Sequence, residues 1–590
     1  MKKLTWHALF NEAKQHKKQI VIGQVIAFFA VVLSLPIPLL FPLLIDEVLL
    51  DKPASLVATM DALFAPNEIY MYIVIIFFIT LFFRLMFFIL NAIGSKVFTS
   101  VSKEIVYSIR TRLLYHLKDV SIAEYESLGG GGISSKLVTD INTVDTFLGV
   151  SIGRFFISVL SLIGIAVILL TIDFELALII LVINPIVVTV TMLLGKRIGK
   201  LKRAENENIE TFQNALSETL DLFIQVRTHN QEERYIDKMV GNAKAIKDAS
   251  TSFGWKSEAA SHLSSFIFLS GFEVFRATAM FMVLMSDLSI GEMFAVIGYL
   301  WFMITPLQEL LNIIFSYANA STALQRLDAL LCLEKEPHYT HVHNPFKETT
   351  TNAIELKNIC FSYGDKEILH DVNIKIPKGK TVALLGSSGS GKTTLAHILL
   401  GLYATKKGDI SVDGTHVADI GLDVMRENIA LVLQQPKMFN DSLRHNLTLG
   451  REITDEKLYK ALHIAQLESV MEKLTDGLNT QIGKDGIRLS GGERQRAAIA
   501  RMLVTEPNVI ILDESTSALD VVTEANLFRS LQEHLEEKSM LIITHRLKTI
   551  ENADYIYILN EGRVVEEGTP TELLALQDGK YSAYFNEVIY

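Results

Sequence analysis

Six apolar stretches, each long enough to cross a hydrocarbon core of about 30 Å as a helix of about 20 residues, limit what this chain can fold into. They lie near residues 20–44, 69–93, 152–171, 174–195, 263–285 and 291–318, so all fall within the first 320 of 590 residues. An even number of crossings leaves both ends on one side. The N-terminus through residue 19, the stretch 94–150 and the stretch 195–262 carry 5, 6 and 11 lysines and arginines, whereas the alternate loops carry one, Lys52. Those alternate loops hold Asp46, Glu47, Asp51, Asp61, Glu68, Asp173, Glu175, Asp287 and Glu292 instead. Basic loops stay on the cytoplasmic face, so the asymmetry predicts a multi-pass protein of the cell (inner or plasma) membrane with both termini in the cytoplasm.

The basic N-terminus does not read as a cleaved leader, because the apolar run after it is long, contains Pro36, Pro38 and Pro42, and lacks a small-residue cleavage site. Residues 4–18 mix Trp6, Leu9 and Phe10 with Lys14, Lys17 and Lys18, the pattern of a short helix lying on the cytoplasmic membrane surface. Val97, Val101, Ile105, Ile109, Leu113 and Leu117 recur at helical spacing. The second span is therefore expected to continue to about residue 117, a length of roughly 70 Å at 1.5 Å per residue. Gly129 to Gly132 interrupts the first cytoplasmic loop, and a second helix-prone stretch, 201–239, is broken around 222–226.

The membrane domain is placed at 1–321 and a polar, proline-punctuated linker at 322–352. His338, His341 and His343 in that linker have no fourth ligand or carboxylate at matching spacing, which favours a solvated segment over a metal site. Cys332 and Cys360 provide neither a disulfide framework nor a metal cluster. With 66 acidic against 55 basic residues, the formal charge of -11 argues against a nucleic-acid partner.

From 353 to 590 short apolar strand candidates alternate with helical patterns, which predicts an α/β domain with a largely parallel sheet. One strand, 381–385, runs into Gly386, Ser387, Ser388, Gly389, Ser390, Gly391, Lys392 and Thr393, and a helical pattern begins at Thr394. Strand, glycine loop and helix in that order make a P-loop. Its backbone N–H groups curl around phosphate oxygens, Lys392 brings a cation to the β and γ phosphates, and the Thr393 hydroxyl can bind Mg²⁺. A second strand, 509–512, delivers Asp513 and Glu514. Asp513 can hold Mg²⁺, and Glu514 can accept a proton from an attacking water. Finally, Ser490, Gly491 and Gly492 open an arginine-rich amphipathic helix, and such a helix N-terminus is a second anion site. A nucleotide is thus expected to be contacted from two directions.

In this combination the chain resembles the ATP-binding cassette (ABC) transporters, in particular half-transporters of the exporter type that fuse a membrane domain ahead of the ATPase. LSGGERQ at 489–495 is similar to the family signature, and the resemblance covers essentially the whole chain. It implies an α-helical membrane domain of six spans followed by an α/β P-loop ATPase, with ATP and Mg²⁺ as ligands. It makes Tyr363 the aromatic that stacks on adenine. Gln434, rather than Gln435, becomes the glutamine that contacts Mg²⁺ and the attacking water, and His545 the histidine at the γ-phosphate. Asp520 closes a loop, 517–520, expected at a dimer interface. The signature of one subunit would close over ATP held by the P-loop of another, so the implied partner is a second copy of the chain or a homologous half-transporter. The resemblance also gives 124–128 and 221–226 the role of contacting the ATPase domains. One departure stands before the signature, where Gln481 and Asp485 replace a usual glutamate and arginine.

These features point to an ATP-driven exporter or lipid flippase, with an importer on the same fold and an ATP-gated channel as the other classes. Intact Glu514 argues against a purely regulatory role. Within the spans, Arg84, Glu273 and Arg276 are the ionisable residues expected nearest the membrane middle, where such groups face a cavity or each other. Arg84 with Glu273 is the favoured pair and Arg276 with Glu273 the other. The substrate is expected to be amphipathic and partly hydrophobic, and its identity is not encoded in any motif.

Overall fold

The computed structural model describes residues 3–50, 55–64, 66, 68–285, 288–339, 341–349, 351–546, 550, 553–576 and 579–583. Asp51, Lys52 and Asp287 lie outside the described residues. The chain divides into two units, Met1–Lys118 with Gly130–Cys332, and Asp119–Gly129 with Leu333–Tyr590.

Five helical stretches among the described residues are long and apolar enough to cross a membrane: Lys17–Leu49, Ile69–Lys118, Ile122–Ile172, Glu232–Met285 and Ile290–Leu331. The remaining expected crossing, 174–195, lies within the 48-residue helix Phe174–Asp221, where the side chains of 180–188 and 191 are outside the description. Ile69–Lys118 is a single helix of 50 residues, as the spacing of its apolar positions predicts. Its first half exposes Phe77, Phe78, Leu81, Phe82 and Leu85, whose natural surroundings are lipid. Its second half is one-sided, burying Phe98, Val101, Ile105, Ile109, Leu113 and Leu117.

Within the stretch 4–18 a helix forms over Trp6–Gln15, capped by the Thr5 side chain. It is anchored on one face: Leu9 is buried, and Trp6 stacks on Tyr317 at 5.2 Å while meeting Phe147 edge-on at 5.2 Å. At its other end the first unit runs further than composition suggested. Helix Ile290–Leu331 continues ten residues into the stretch expected to be linker, because Ala323, Leu324, Leu327 and Leu330 fall on one buried stripe.

The helix Ile122–Ser135 is broken at Gly129, whose φ of 67° and ψ of 154° are outside helical space, and the division between the units falls at that break. Residues 119–129 consequently belong with the ATPase fold. Ser121 N–H donates to the Glu334 carbonyl, Glu336 N–H donates to that of Asp119, and the Tyr403 hydroxyl donates to Glu126 at 2.6 Å.

In the second unit, strands β1 (Ile354–Tyr363), β2 (Lys366–Ile376), β3 (Thr381–Gly386), β4 (Lys407–Val412), β5 (Thr415–His416) and β6 (Ile429–Val432) precede the short pair β7 (Asp441–Ser442) and β8 (Gln481–Ile482). Strands β9 (Val509–Asp513), β10 (Ser539–Ile543), β11 (Tyr555–Asn560) and β12 (Arg563–Gly568) follow. One antiparallel sheet has the order β2-β1-β4-β5, and the larger sheet has the order β12-β11-β3-β10-β9-β6. The larger sheet is parallel from β11 to β6, with β12 antiparallel at its edge. Every residue of β9 and β10 is buried, as strands covered on both faces require, which is why 509–512 and 540–543 read in sequence as apolar runs.

Register then fixes where function can sit. Ile543 pairs with Leu384 on one side and Asp513 on the other, and Leu512 pairs with Val432. The carboxyl ends of β3, β10, β9 and β6 are therefore level, and the residues just beyond them share one edge of the sheet, the edge at which α/β folds bind ligands.

Candidate functional site

The loop leaving β3 is shaped by glycines that other residues could not replace. Gly391 has a φ of 104°, and a Cβ there would come within 2.6 Å of the Leu369 side chain. A Cβ on Gly386 would approach the Leu559 carbonyl oxygen to 2.2 Å. Helix Lys392–Leu399 follows at once, so its free N–H groups open into the loop. Lys392 is folded over the same loop, its Nζ donating to the carbonyls of Gly386 and Ser387 at 2.9 Å each. Burial lowers its pKa, and the carboxylates of Glu514 and Asp513 oppose that shift. The lysine is thereby held at the loop as an anion-binding cation. Ser390 Oγ is buried without a hydrogen-bond partner, and Thr394 is buried in the first turn of the helix.

At the end of β9, both carboxylate oxygens of Asp513 are buried and accept no hydrogen bond of good geometry. Burial raises its pKa, which the neighbouring Thr393 hydroxyl opposes and the Glu514 charge reinforces. An orphaned carboxylate costs stability unless a cation completes it. Two hard oxygen donors side by side, Asp513 and Thr393, fit Mg²⁺.

Glu514 follows in the left-handed region, with a φ of 44°, a position that costs a non-glycine residue about 1–2 kcal/mol. Its N–H is tied to the Ile543 carbonyl at 2.8 Å, which holds the turn. The turn aims the carboxylate between two partners. Gln434 Nε2 donates to Oε2 at 2.6 Å, and His545 Nδ1 lies 3.4 Å from Oε1. With its amide nitrogen on Glu514, Gln434 keeps its amide oxygen free for a cation. Sequence reasoning named these three residues separately, and the sheet edge brings them together.

Tyr363, at the end of β1, presents a half-exposed ring braced edge-on by Phe361 at 4.8 Å and Tyr403 at 5.3 Å, a platform suited to a planar base. Ser490 caps helix Gly491–Val504 in a reciprocal box with Glu493. Burial works against ionisation of Glu493, but the Ser490 N–H and Lys473 hold its pKa below the usual carboxylate value. Gly492 is needed for close approach, since a Cβ there would lie 2.9 Å from Leu519 and 3.1 Å from the Ala518 carbonyl. Asp520 caps the next helix, Val521–Leu535, accepting from the Thr523 N–H. Asp485, the departure noted above, exchanges two hydrogen bonds with Asn440, at 2.6 and 3.0 Å.

The positioning roles of two residues are not legible in the sequence. Buried Gln495 donates to the Gln434 carbonyl at 3.0 Å and to Ser517 Oγ at 3.1 Å, and accepts from the Ala518 N–H at 3.0 Å. Arg546 donates to the carbonyls of Ser517 and Leu519 and pairs with Glu524 at 2.5 Å. Gln495 is the last residue of LSGGERQ and Arg546 follows His545, yet the role of each depends on contacts made elsewhere in the chain. Gln495→Leu leaves the Gln434 carbonyl and Ala518 N–H unmatched, at a cost of about 1–3 kcal/mol, and is expected to lower ATP turnover about tenfold with nucleotide binding retained. Unchanged turnover would remove Gln495 from this positioning role.

In the membrane unit the favoured Arg84–Glu273 pair is not formed. Glu273 pairs at 2.5 Å with Arg276, three residues along the same helix, and Arg84 is exposed. An i,i+3 neighbour on one helix face is always within reach, whereas similar depth on two helices does not place them face to face. His341 and His343 each sit beside a different carboxylate, Asp423 at 3.2 Å and Glu348 at 3.5 Å.

Two family models match the chain: the ABC transporter model over residues 369–517 and the ABC transporter transmembrane region model over 20–307. The ATP-dependent lipid A-core flippase of Pasteurella multocida (strain Pm70) is 31% identical over 517 residues, covering 83% of this chain and 84% of that protein. A protein of Bacillus subtilis (strain 168) named for multidrug export, the ATP-binding/permease protein YgaD, is 28% identical over 585 residues, 95% of each chain. Among solved structures, a bacterial Atm1-family ABC exporter with ATP bound superposes with a TM-score of 0.81 at 22% identity, over 97% of this chain and 98% of that one.

Proposed function

Because the chain belongs to the ABC transporter family, with the membrane region and the ATPase fused in one polypeptide, we propose that it works as a homodimer in the inner membrane, moving an amphipathic, partly hydrophobic molecule. It is an ATP-driven membrane transporter of the exporter or flippase type. Its cargo is taken from the cytoplasm or the inner leaflet, with the ATPase units and both termini in the cytoplasm. The observation that carries this reading is the convergence of Gln434, Glu514 and His545 at one sheet edge, level with the loop that holds Lys392.

In the cycle, ATP is held by the 386–394 loop with adenine on Tyr363. Asp513, Thr393 and Gln434 would hold Mg²⁺, which when bound would supply positive charge against the phosphates. Glu514 takes a proton from the attacking water, while Gln434 and His545 keep water and γ-phosphate in line. Ser490, Gly491 and Gly492 of the second copy complete the site, with Asp520 at the junction. Closure turns the membrane cavity outward only if ATP favours that arrangement over the other.

Glu126 is well placed to transmit closure, since Tyr403, which braces Tyr363, donates to it. Burial raises the Tyr403 pKa, and the hydrogen bond to Glu126 adds to the effect, so the phenol stays a donor. Glu126→Ala is expected to weaken stimulation of turnover by substrate up to about tenfold, the loss of one hydrogen bond to a charged group. Full stimulation in this variant would contradict the transmitting role.

The function itself is tested by ATP turnover of the purified chain in lipid nanodiscs across a panel of lipids, amphipathic drugs and peptides. Stimulation by at least one amphiphile is expected. A response to soluble hydrophilic compounds alone would overturn the substrate class.

A further inference from the structure

The membrane unit contains a cavity of about 710 Å³ that none of the sequence candidates line. Its volume is within the range of small-molecule sites. Asn91, Ser95 and Ser158 contribute hydroxyl and amide groups to its wall, and Phe98, Trp301 and Phe302 contribute aromatic surface. Trp301 is held edge-on by Phe272 at 5.4 Å and by Phe268 at 6.3 Å, so the aromatic side is braced. The cavity also includes one ion pair, Arg154 Nη1 to Glu309 Oε1 at 2.8 Å, formed between helices Ile152–Ile172 and Ile290–Leu331. The Arg154 side chain is 55% exposed and that of Glu309 is 23% exposed, so both heads face the open space rather than a packed core.

These charges select among amphiphiles. By the expected topology Arg154 stands at the cytoplasmic end of span 152–171 and Glu309 in the cytoplasmic half of span 291–318, which puts the pair on the inner-leaflet side. A polyanionic head drawn to Arg154 meets the Glu309 carboxylate, and like charges brought together cost several kcal/mol. A purely cationic head meets Arg154 in the same way. A head carrying one charge of each sign can exchange partners with the pair, its anion on Arg154 and its ammonium on Glu309, leaving no ion unmatched. The aromatic wall then takes apolar chain surface.

We propose that the Arg154–Glu309 cavity is a subsite for a net-neutral, zwitterionic amphiphile bearing an anionic group and an ammonium, a phospholipid-type headgroup. The inference rests on the transport reading above and narrows its substrate class.

Trp301 reports binding directly once Trp6 and Trp255 are replaced by Phe in the full-length chain. The experiment uses nanodiscs of equal phosphatidylcholine and phosphatidylglycerol, with bromine on one lipid at a time to quench Trp301. Brominated phosphatidylcholine is expected to quench more strongly in the wild-type cavity. Glu309→Lys is expected to invert the order, with relative affinity changing roughly tenfold, the size of a single strong charge contact. The double exchange of Arg154→Glu with Glu309→Arg rebuilds a pair and is expected to restore the zwitterion preference, which separates charge selection from misfolding. Equal quenching by both lipids in the wild type, or the same order in Glu309→Lys, would overturn the subsite. If the quenching pattern holds while no amphiphile of the panel stimulates ATP turnover, the amphiphile-transport reading fails and the subsite stands. If lipids stimulate turnover but the order does not invert, the subsite fails and the transport reading stands.

Discussion

Exchange of Glu514 for Gln is expected to reduce Mg-ATP turnover in nanodiscs by about 10²-fold or more while leaving ATP binding intact. The amide occupies the same space and can keep a contact to Gln434, but it cannot accept a proton from water. The 2.6 Å bond from Gln434 and the 3.4 Å approach of His545 show the carboxylate held from two sides, in a backbone conformation that is unfavourable for glutamate and retained nonetheless. Turnover by the variant and titration with a fluorescent ATP analogue read the two effects separately. Equal turnover in both proteins would remove Glu514 as the general base.

Lys392→Ala has a different expected signature, the loss of binding and turnover together. Lys392 is the cation that the loop itself positions, through the carbonyls of Gly386 and Ser387, and its burial means that no solvent ion can take its place at low cost. Loss of one strong charge contact to phosphate is expected to weaken ATP binding by about 10²-fold, or roughly 2.7 kcal/mol. Analogue titration checks this. Unaltered affinity would mean that backbone N–H groups alone retain the nucleotide.

Much of this site was legible in the sequence because its groups lie immediately after strands, where an apolar run followed by Gly386 or by Asp513 and Glu514 leaves little choice of conformation. The 50-residue helix was legible for a related reason, since one period of apolar residues persists from Val97 to Leu117. What was lost involved partners distant in the chain. Arg154 and Glu309 are 155 residues apart, and Arg154 falls so near the start of its span that it reads as an ordinary interfacial arginine. For Glu273 the sequence offers two partners, Arg84 at similar depth and Arg276 one turn away, and the structure forms the second. Composition turns polar after Thr322, but the buried stripe continues to Leu331, so the first unit ends later than composition alone indicates. Gly129 was visible as an interruption, but only the fold shows that the short segment before it joins the ATPase unit.

The central claim is that ATP hydrolysis by Glu514 drives movement of an amphiphile across the membrane. The most direct measurement is ATP-dependent translocation of a fluorescent zwitterionic phospholipid in proteoliposomes, read by dithionite protection, with wild type and Glu514→Gln side by side. ATP should change the protected fraction only in wild-type vesicles, and the change should need Mg²⁺. Equal translocation by the two proteins, or translocation that proceeds at the same rate without ATP, would contradict the account.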